Sequence, residues 1–258
     1  TGNIGVVGNA NLRPEKTIQG ELGLQQQISY NMALDITAYF RDIRDLAGTR
    51  SEEITLFGGS ASYNRLENSD FAYVRGLVLS LSMIETNGFS ASLDYTFQIA
   101  KGSASDPQQA RNAIAGGSLP EIQLTPLDWD QRNTVNMSLA YDRANWGISG
   151  IGQFGSGLPY TPLSTEDISS LVLNSGKKPL TWNVDLKGYF NPRDGLRLFI
   201  RAENIFDRLN PYTVYDDSGV ADFTRWENIA KSQNTGEPIN SISKWFLNET
   251  FYSNPRRI

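Results

Sequence analysis

Residues 32–41 alternate without a break: Met32, Leu34, Ile36, Ala38 and Phe40 fall on one side, Asp35, Thr37, Tyr39 and Arg41 on the other. A strict period of two describes a strand with one apolar face. The preceding stretch, Thr17–Ile28, sets Ile18, Leu22, Leu24 and Ile28 against Gln19, Glu21, Gln25 and Gln27. Only Ser29-Tyr30-Asn31 separates the two stretches, so they predict a hairpin. A second hairpin is predicted from Tyr73–Met83 and Phe89–Gln98, with Leu77, Leu79, Leu81, Met83, Phe89, Ala91, Leu93, Tyr95 and Phe97 on one face. In a third, Val135, Met137, Leu139 and Tyr141 turn through Asp142–Asn145 into Trp146 and Ile148; its second strand is glycine-rich and alternates weakly. A fourth joins Leu180–Phe190 to Leu196–Asp207 across Asn191–Gly195.

Each predicted strand runs to about 10–12 residues, near double the globular average and suited to a tilted bilayer crossing. The turns within hairpins are short. The connections between them, at 42–72, 99–131, 155–179 and 208–251, span roughly 24 to 45 residues, far beyond common loop lengths. Short turns at one end and long loops at the other mark an outer-membrane barrel. The expected fold is therefore all-β: an antiparallel transmembrane β-barrel segment of about eight strands plus the start of a ninth, with short periplasmic turns and long extracellular loops.

The aromatic residues sharpen this pattern. Tyr30, Phe89, Trp146 and Phe190 sit beside the short turns, while Phe40, Phe97 and Trp182 lie toward the long-loop ends. Two belts separated by aliphatic residues match the girdles at the two membrane interfaces. The long loops carry further rings, among them Trp129, Tyr160, Tyr212, Tyr215, Trp226, Trp245 and Phe246. Loops on a rigid scaffold are where binding concentrates, which makes Trp129, Tyr160 and Trp226 candidate ligand contacts; packing of loop on loop is the competing role for such rings.

Composition narrows the chemistry. The 258 residues include neither Cys nor His, which removes disulfides, thiolate metal sites, imidazole bases and the Ser-His-Asp and Cys-His constellations. No catalytic residue, metal site or cofactor is expected. A net charge of -5 argues against a nucleic-acid partner. The mean hydropathy of -0.38 is compatible with membrane strands, which need only one apolar face. Arg197, Arg201 and Glu203 share the polar face of their strand, and Arg41 that of its own. The three arginines are candidate contacts for an anionic ligand; a structural ladder of lumenal charges is the simpler expectation.

Several segments together resemble the TonB-dependent outer-membrane receptor family. Gly8-Asn9-Ala10-Asn11-Leu12-Arg13-Pro14-Glu15-Lys16-Thr17, followed by Glu21-Leu22-Gly23, is similar to its "GNPNLKPEKT…ELG" signature, and Asp35–Ile43 to the strand after it. Pro126-Leu127-Asp128-Trp129-Asp130-Gln131-Arg132-Asn133-Thr134 resembles "PLDWDQRHT", with Asn133 where His is frequent. Ser156-Gly157-Leu158-Pro159-Tyr160-Thr161-Pro162 and Glu203-Asn204-Ile205-Phe206-Asp207-Arg208 resemble "SGxPYTP" and "xNLFDR". The resemblance covers essentially the whole chain. It implies a plugged barrel of about 22 strands, of which residues 1–258 would supply roughly strands 14 to 21. The plug domain and N-terminal strands would be absent and the last strand truncated. It also implies import of a scarce siderophore, cobalamin or oligosaccharide, partnership with outer-membrane lipid, and TonB-supplied energy received through the absent N-terminal plug region. The chain is not expected to be an enzyme.

Other motifs lose to simpler readings. Gly150-x-Gly152-x-x-Gly155 has the form of a dinucleotide fingerprint but is followed by Ser156-Gly157-Leu158-Pro159 rather than a helix. Asp216, Asp217 and Asp222 read as an acidic turn before a Ca²⁺ site, and Asn248-Glu249-Thr250 is a formal glycosylation sequon only. The main alternative is a soluble or surface β-rich carbohydrate-binding module, which would bury its apolar faces against a second sheet. A barrel hydrolase is disfavoured by the absence of His.

Overall fold

A computed structural model describes residues 2–49, 54–103, 124–163, 172–233 and 248–257. Eight strands form one antiparallel meander: β2 (Lys16–Ser29), β3 (Met32–Thr49), β5 (Ala61–Thr86), β6 (Phe89–Gly102), β8 (Asn133–Asp142), β9 (Trp146–Gly155), β12 (Thr181–Arg193) and β13 (Leu196–Ala202). Each pairs with the next along the chain. The four hairpins and their turns fall where the alternation predicts them. Asn87 and Gly88 have φ of 55° and 87°, the left-handed pair a two-residue hairpin turn needs. The glycine-rich β9 is a full strand with unbroken ladders to both β8 and β12.

Register determines the two faces. Gln25, Asp35, Ser80, Asp94, Asn136, Gln153 and Asn183 are direct cross-strand neighbours running across seven strands. The adjacent row on the opposite face reads Leu24, Ile36, Leu79, Tyr95, Val135, Phe154 and Trp182. The apolar face is bare: Leu22 is 80 % exposed and Leu198 56 %. No second sheet covers it among the described residues, so the sandwich alternative lacks the layer it requires. A sheet apolar on one bare side and polar on the other suits lipid on the first and a lumen on the second.

Three expectations of the sequence need correction. The first long connection, 42–72, is largely strand, because β3 runs on to Thr49 and β5 begins at Ala61. This ribbon is stiffened by β1 (Gly2–Val7), parallel to β5, and by β4 (Ile54–Leu56), antiparallel to it. It carries polar residues on both sides, so a one-sided apolar alternation cannot reveal it. Secondly, the strands are not uniform, running from 7 residues in β13 to 26 in β5. Thirdly, β13 stops at Ala202, well short of Asp207, because Asn204 and Asp207 adopt φ of 51° and 53° and turn the chain out of the sheet.

The small buried core lies on the polar side near the long-loop ends. Ala72, Val74, Ala100 and Leu127 cluster there, with Tyr39, Ile43 and Leu46 packed against them. Leu127 directly follows β7 (Thr125–Pro126), a two-residue strand paired with β6 in the loop before β8, and burying such a side chain is worth about 1.5–3 kcal/mol. It plugs the corner where the ribbon leaves the sheet. Glycines opposite aromatic rings make room elsewhere: a Cβ at Gly76 would strike the Tyr39 ring, and one at Gly147 the Tyr189 ring.

Candidate functional site

Two loop segments that resemble family motifs turn out to be anchors. Leu127 N–H donates to Ala100 O at 3.1 Å, and Asp130 N–H to Leu127 O at 2.8 Å. The Asp130 carboxylate, only 1 % exposed, accepts Ala100 N–H at 2.7 Å and pairs with Arg132 Nε at 2.7 Å. A buried carboxylate needs such partners; here they bolt the loop to the end of β6. After β13, Asn204 N–H donates to Asp185 Oδ1 at 2.8 Å, and Arg208 N–H donates to Asn204 Oδ1 at 3.0 Å. Asn210 clasps the Trp182 backbone, accepting its N–H at 3.0 Å and donating to its carbonyl at 2.8 Å. Residues 251–257 return alongside, and Glu203 and Arg257 exchange backbone hydrogen bonds at 2.8 and 3.1 Å.

Between these anchors lies a cavity of about 310 Å³ lined by Asp128, Tyr160, Thr161, Asn174, Lys178 and Asp216 among others. Tyr160 stands on a two-residue ladder, β10 (Pro159–Tyr160) with β11 (Gly176–Lys177). Asn174, at φ 55° and 7 % exposed, holds the walls together. Its Nδ2 donates to Pro126 O at 2.8 Å and Asp128 Oδ1 at 2.7 Å, and its N–H donates to Thr161 Oγ1 at 3.1 Å. Lys178 Nζ donates to Tyr212 O at 3.1 Å. Two carboxylates, an ammonium, hydroxyls and one ring can hydrogen-bond a small polar ligand. They form no nucleophile–base pair.

The acidic loop is structural. Asp217 Oδ2 accepts Thr224 Oγ1 at 2.8 Å and Arg225 N–H at 2.6 Å, capping the helix α1 (Arg225–Gln233). No group of three acidic, His or Cys side chains converges as a metal site among the described residues. Asn248 accepts Thr250 N–H at 3.1 Å in a 3-10 turn. The Tyr215 ring packs on Phe251 at 5.1 Å. Burial pushes the Tyr215 phenol above its ordinary range, with Asp217 and Glu227 adding to the effect. Tyr252 is raised in the same way, by burial and then by Asp222 and Tyr215.

The arginines and rings singled out from sequence do not converge. Tyr160 lines the cavity; Trp129, 46 % exposed, stands beside it between Asp128 and Asp130. Trp226 is exposed on the helix. Arg41 sits on the polar face of β3, opposite Gln19 and Val74. Arg197 lies near the short turn, over the Tyr189 ring at 4.5 Å and donating to Asn191 Oδ1 at 2.9 Å. Arg201 pairs with Glu203 at 2.8 Å. Asp128, Asn174, Lys178 and Asp216 are not among the ligand contacts expected from sequence; Asp128 lies within the Pro126–Thr134 motif and Asp216 within the acidic turn weighed as a Ca²⁺ site, while Asn174 and Lys178 carry no sequence signal. Trp245 and Phe246 lie outside the described residues. Tyr30 lies in the first short turn; on the apolar face Phe89, Trp146 and Phe190 flank the others, and Phe40, Phe97 and Trp182 the other end.

Residues 1–205 match the family described as TonB dependent receptor-like, beta-barrel. No curated protein sequence matches. Solved structures of similar fold include the outer membrane transporter YddB from Escherichia coli, 13 % identical at a TM-score of 0.61, covering 83 % of this chain and 32 % of that one. The ferric-catecholate import receptor Fiu from E. coli K12 gives 13 % and 0.53, over 82 % of this chain and 26 % of its own. A point mutant of the ferric enterobactin receptor PfeA from Pseudomonas aeruginosa gives 17 % and 0.56, over 79 % and 27 %. The chain thus spans a third or less of the length of these structures.

Proposed function

The chain belongs to the TonB-dependent receptor β-barrel family, outer-membrane transporters rather than enzymes, and we propose that it forms part of a receptor that imports a scarce ligand with TonB-supplied energy. The ligand classes this reading admits are siderophores, cobalamin and oligosaccharides. The observation that carries it is a single sheet, bare and apolar on one face and polar on the other, with a polar cavity held among the long loops. β2 and β13 are the edges of the meander. Open edges in lipid would leave backbone groups unpaired at several kcal/mol each, so further strands of a barrel of about 22 would close the sheet. Energy coupling would reach the barrel through an N-terminal plug region. The two aromatic belts would sit at the two membrane interfaces.

The test is uptake by cells carrying the intact receptor, with labelled ferric siderophores, cobalamin and oligosaccharides compared with and without TonB. Uptake of one class that disappears without TonB supports the reading. Uptake of no class, or equal uptake in both backgrounds, would sink it.

A further inference from the structure

On the apolar face, the row Leu22, Ala38, Leu77 and Phe97 is wholly apolar. One row nearer the long-loop ends, Gly20, Phe40 and Ile99 are joined by Arg75. The following row reads Ile18, Asp42, Tyr73 and Lys101, and beyond it stand Lys16 and Arg44. Arg75 therefore stands among Phe40, Leu77 and Ile99 on a face that meets lipid, where a cation is costly unless its head reaches the interface. It is exposed, and its guanidinium lies 5.4 Å from the centroid of the Tyr73 ring, toward the Lys101 row. Asp42 is already held by Arg44, whose Nε and Nη2 donate at 2.7 and 2.9 Å. Among the described residues no carboxylate pairs with Arg75 or Lys101.

Arg75 and Lys101 occupy diagonal positions of adjacent strands, positions whose backbones lie about 7 Å apart, so their long side chains can reach one doubly charged group. We propose that Arg75 and Lys101, with the Tyr73 ring under Arg75 and directly across from Lys101, dock the phosphate headgroup of an outer-leaflet lipid. Charge complementarity selects the headgroup. Phe40, Leu77, Ile99 and Phe97, continuous with the site, receive the acyl chains. A soluble phosphate would gain nothing from that apolar floor, so the occupant is a lipid. The proposal rests on the reading that this face meets the membrane.

The test uses the intact receptor in nanodiscs, with bisphosphorylated lipid A and the same glycolipid dephosphorylated, bound lipid being counted by native mass spectrometry. The expected result is at least tenfold preference for the phosphorylated lipid, lost in R75A/K101A and kept in R193A at the short-turn end. R75Q/K101Q keeps the side-chain bulk and serves if the alanine pair fails to fold. Equal retention of both lipids by the native receptor, or an unchanged preference in the double variant, overturns the site. Inorganic pyrophosphate is a separate arm: displacement of the lipid by it at matched concentration would assign the pair to a soluble anion instead. Heat-modifiable gel mobility checks the barrel independently; its absence overturns the membrane reading itself, whereas a folded barrel with no phosphate preference overturns only the headgroup site.

Discussion

Replacing Asp130 by Ala removes a carboxylate that joins the loop before β8 to the end of β6. In the native chain it is 1 % exposed, accepts Ala100 N–H at 2.7 Å and pairs with Arg132 at 2.7 Å. Breaking a fully buried ion pair from one side costs about 3–5 kcal/mol. The Arg132 side chain keeps 24 % of its exposure, so its stranded charge is partly hydrated and a figure of about 2–4 kcal/mol is appropriate. The loss is local, because the strands keep their ladders while the corner opens. Amide exchange of Ala100 in the intact receptor reads it directly: at tenfold per 1.4 kcal/mol, protection should fall about 30- to 700-fold. Asp130→Asn keeps an acceptor for Ala100 N–H and should lose less. Amides in the middle of β8 serve as the internal reference and should not change. Native-like protection of Ala100 in the Ala variant would refute the anchoring role.

Four further outcomes are expected. Met137→Lys, in the middle of the lipid face, should lower barrel stability by about 2–4 kcal/mol, whereas Ser138→Lys on the opposite face should cost little; equal denaturant midpoints for the two would reverse the face assignment. Asn204→Ala should lower the temperature at which the gel-resolved folded band is lost, removing side-chain bonds to Arg208 and Asn254 and a residue tolerant of φ 51°, together about 1–3 kcal/mol; an unchanged transition would remove it from the set of anchors. Gly88→Ala should destabilise more than Gly195→Ala: both have positive φ, but only at Gly88 does the new Cβ meet a backbone carbonyl, that of Asp142. Paired unfolding curves in the same bilayer decide that comparison. Finally, the raised phenols of Tyr215 and Tyr252 should favour the folded loop fully below the unfolded tyrosine value near pH 10 and lose that contribution as pH rises through the folded values. Difference absorbance at 295 nm should show both ionising later than free tyrosine, and ordinary titration of both would contradict the packing around Phe251.

The strands across the membrane region were legible because register and hydrophobicity agree there: the face occupied by Leu77, Leu79 and Leu81 is also the one the sheet leaves bare. The second turn was legible only as the gap between Met83 and Phe89; the left-handed pair Asn87-Gly88 inside it is a feature of the structure. The ribbon of β3 and β5 was not, since water on both sides removes the alternation on which strand prediction depends. The end of β13 was missed because Ile205 and Phe206 continue an apolar pattern while the backbone has already turned at Asn204. The cavity was the least readable feature. Asp128, Asn174 and Asp216 come from three loops and line one cavity, the bond from Asn174 to Asp128 spanning 46 residues, and no local pattern encodes such a meeting. The charge at Asp130 reads as a solvated loop residue until Ala100 is seen to need an acceptor.

The overhanging ribbon gives the sheet a mechanical property that a flush rim would lack. The ladder of β6 with β5 ends at Ala72, and Ser103 bonds the Phe71 backbone just beyond it, so among the described residues positions 61–69 of β5 pair with no part of β6, a reach of about 30 Å at 3.3 Å per residue. β1, β3 and β4 pair along this length and resist bending. Such an arm is a lever: a tilt of about 5° at its foot carries its tip through about 3 Å, given that reach. The foot is where Leu127 fills the corner and Asp130 fastens the loop. By that geometry, a small displacement at the joint would be enlarged at the far end of the ribbon.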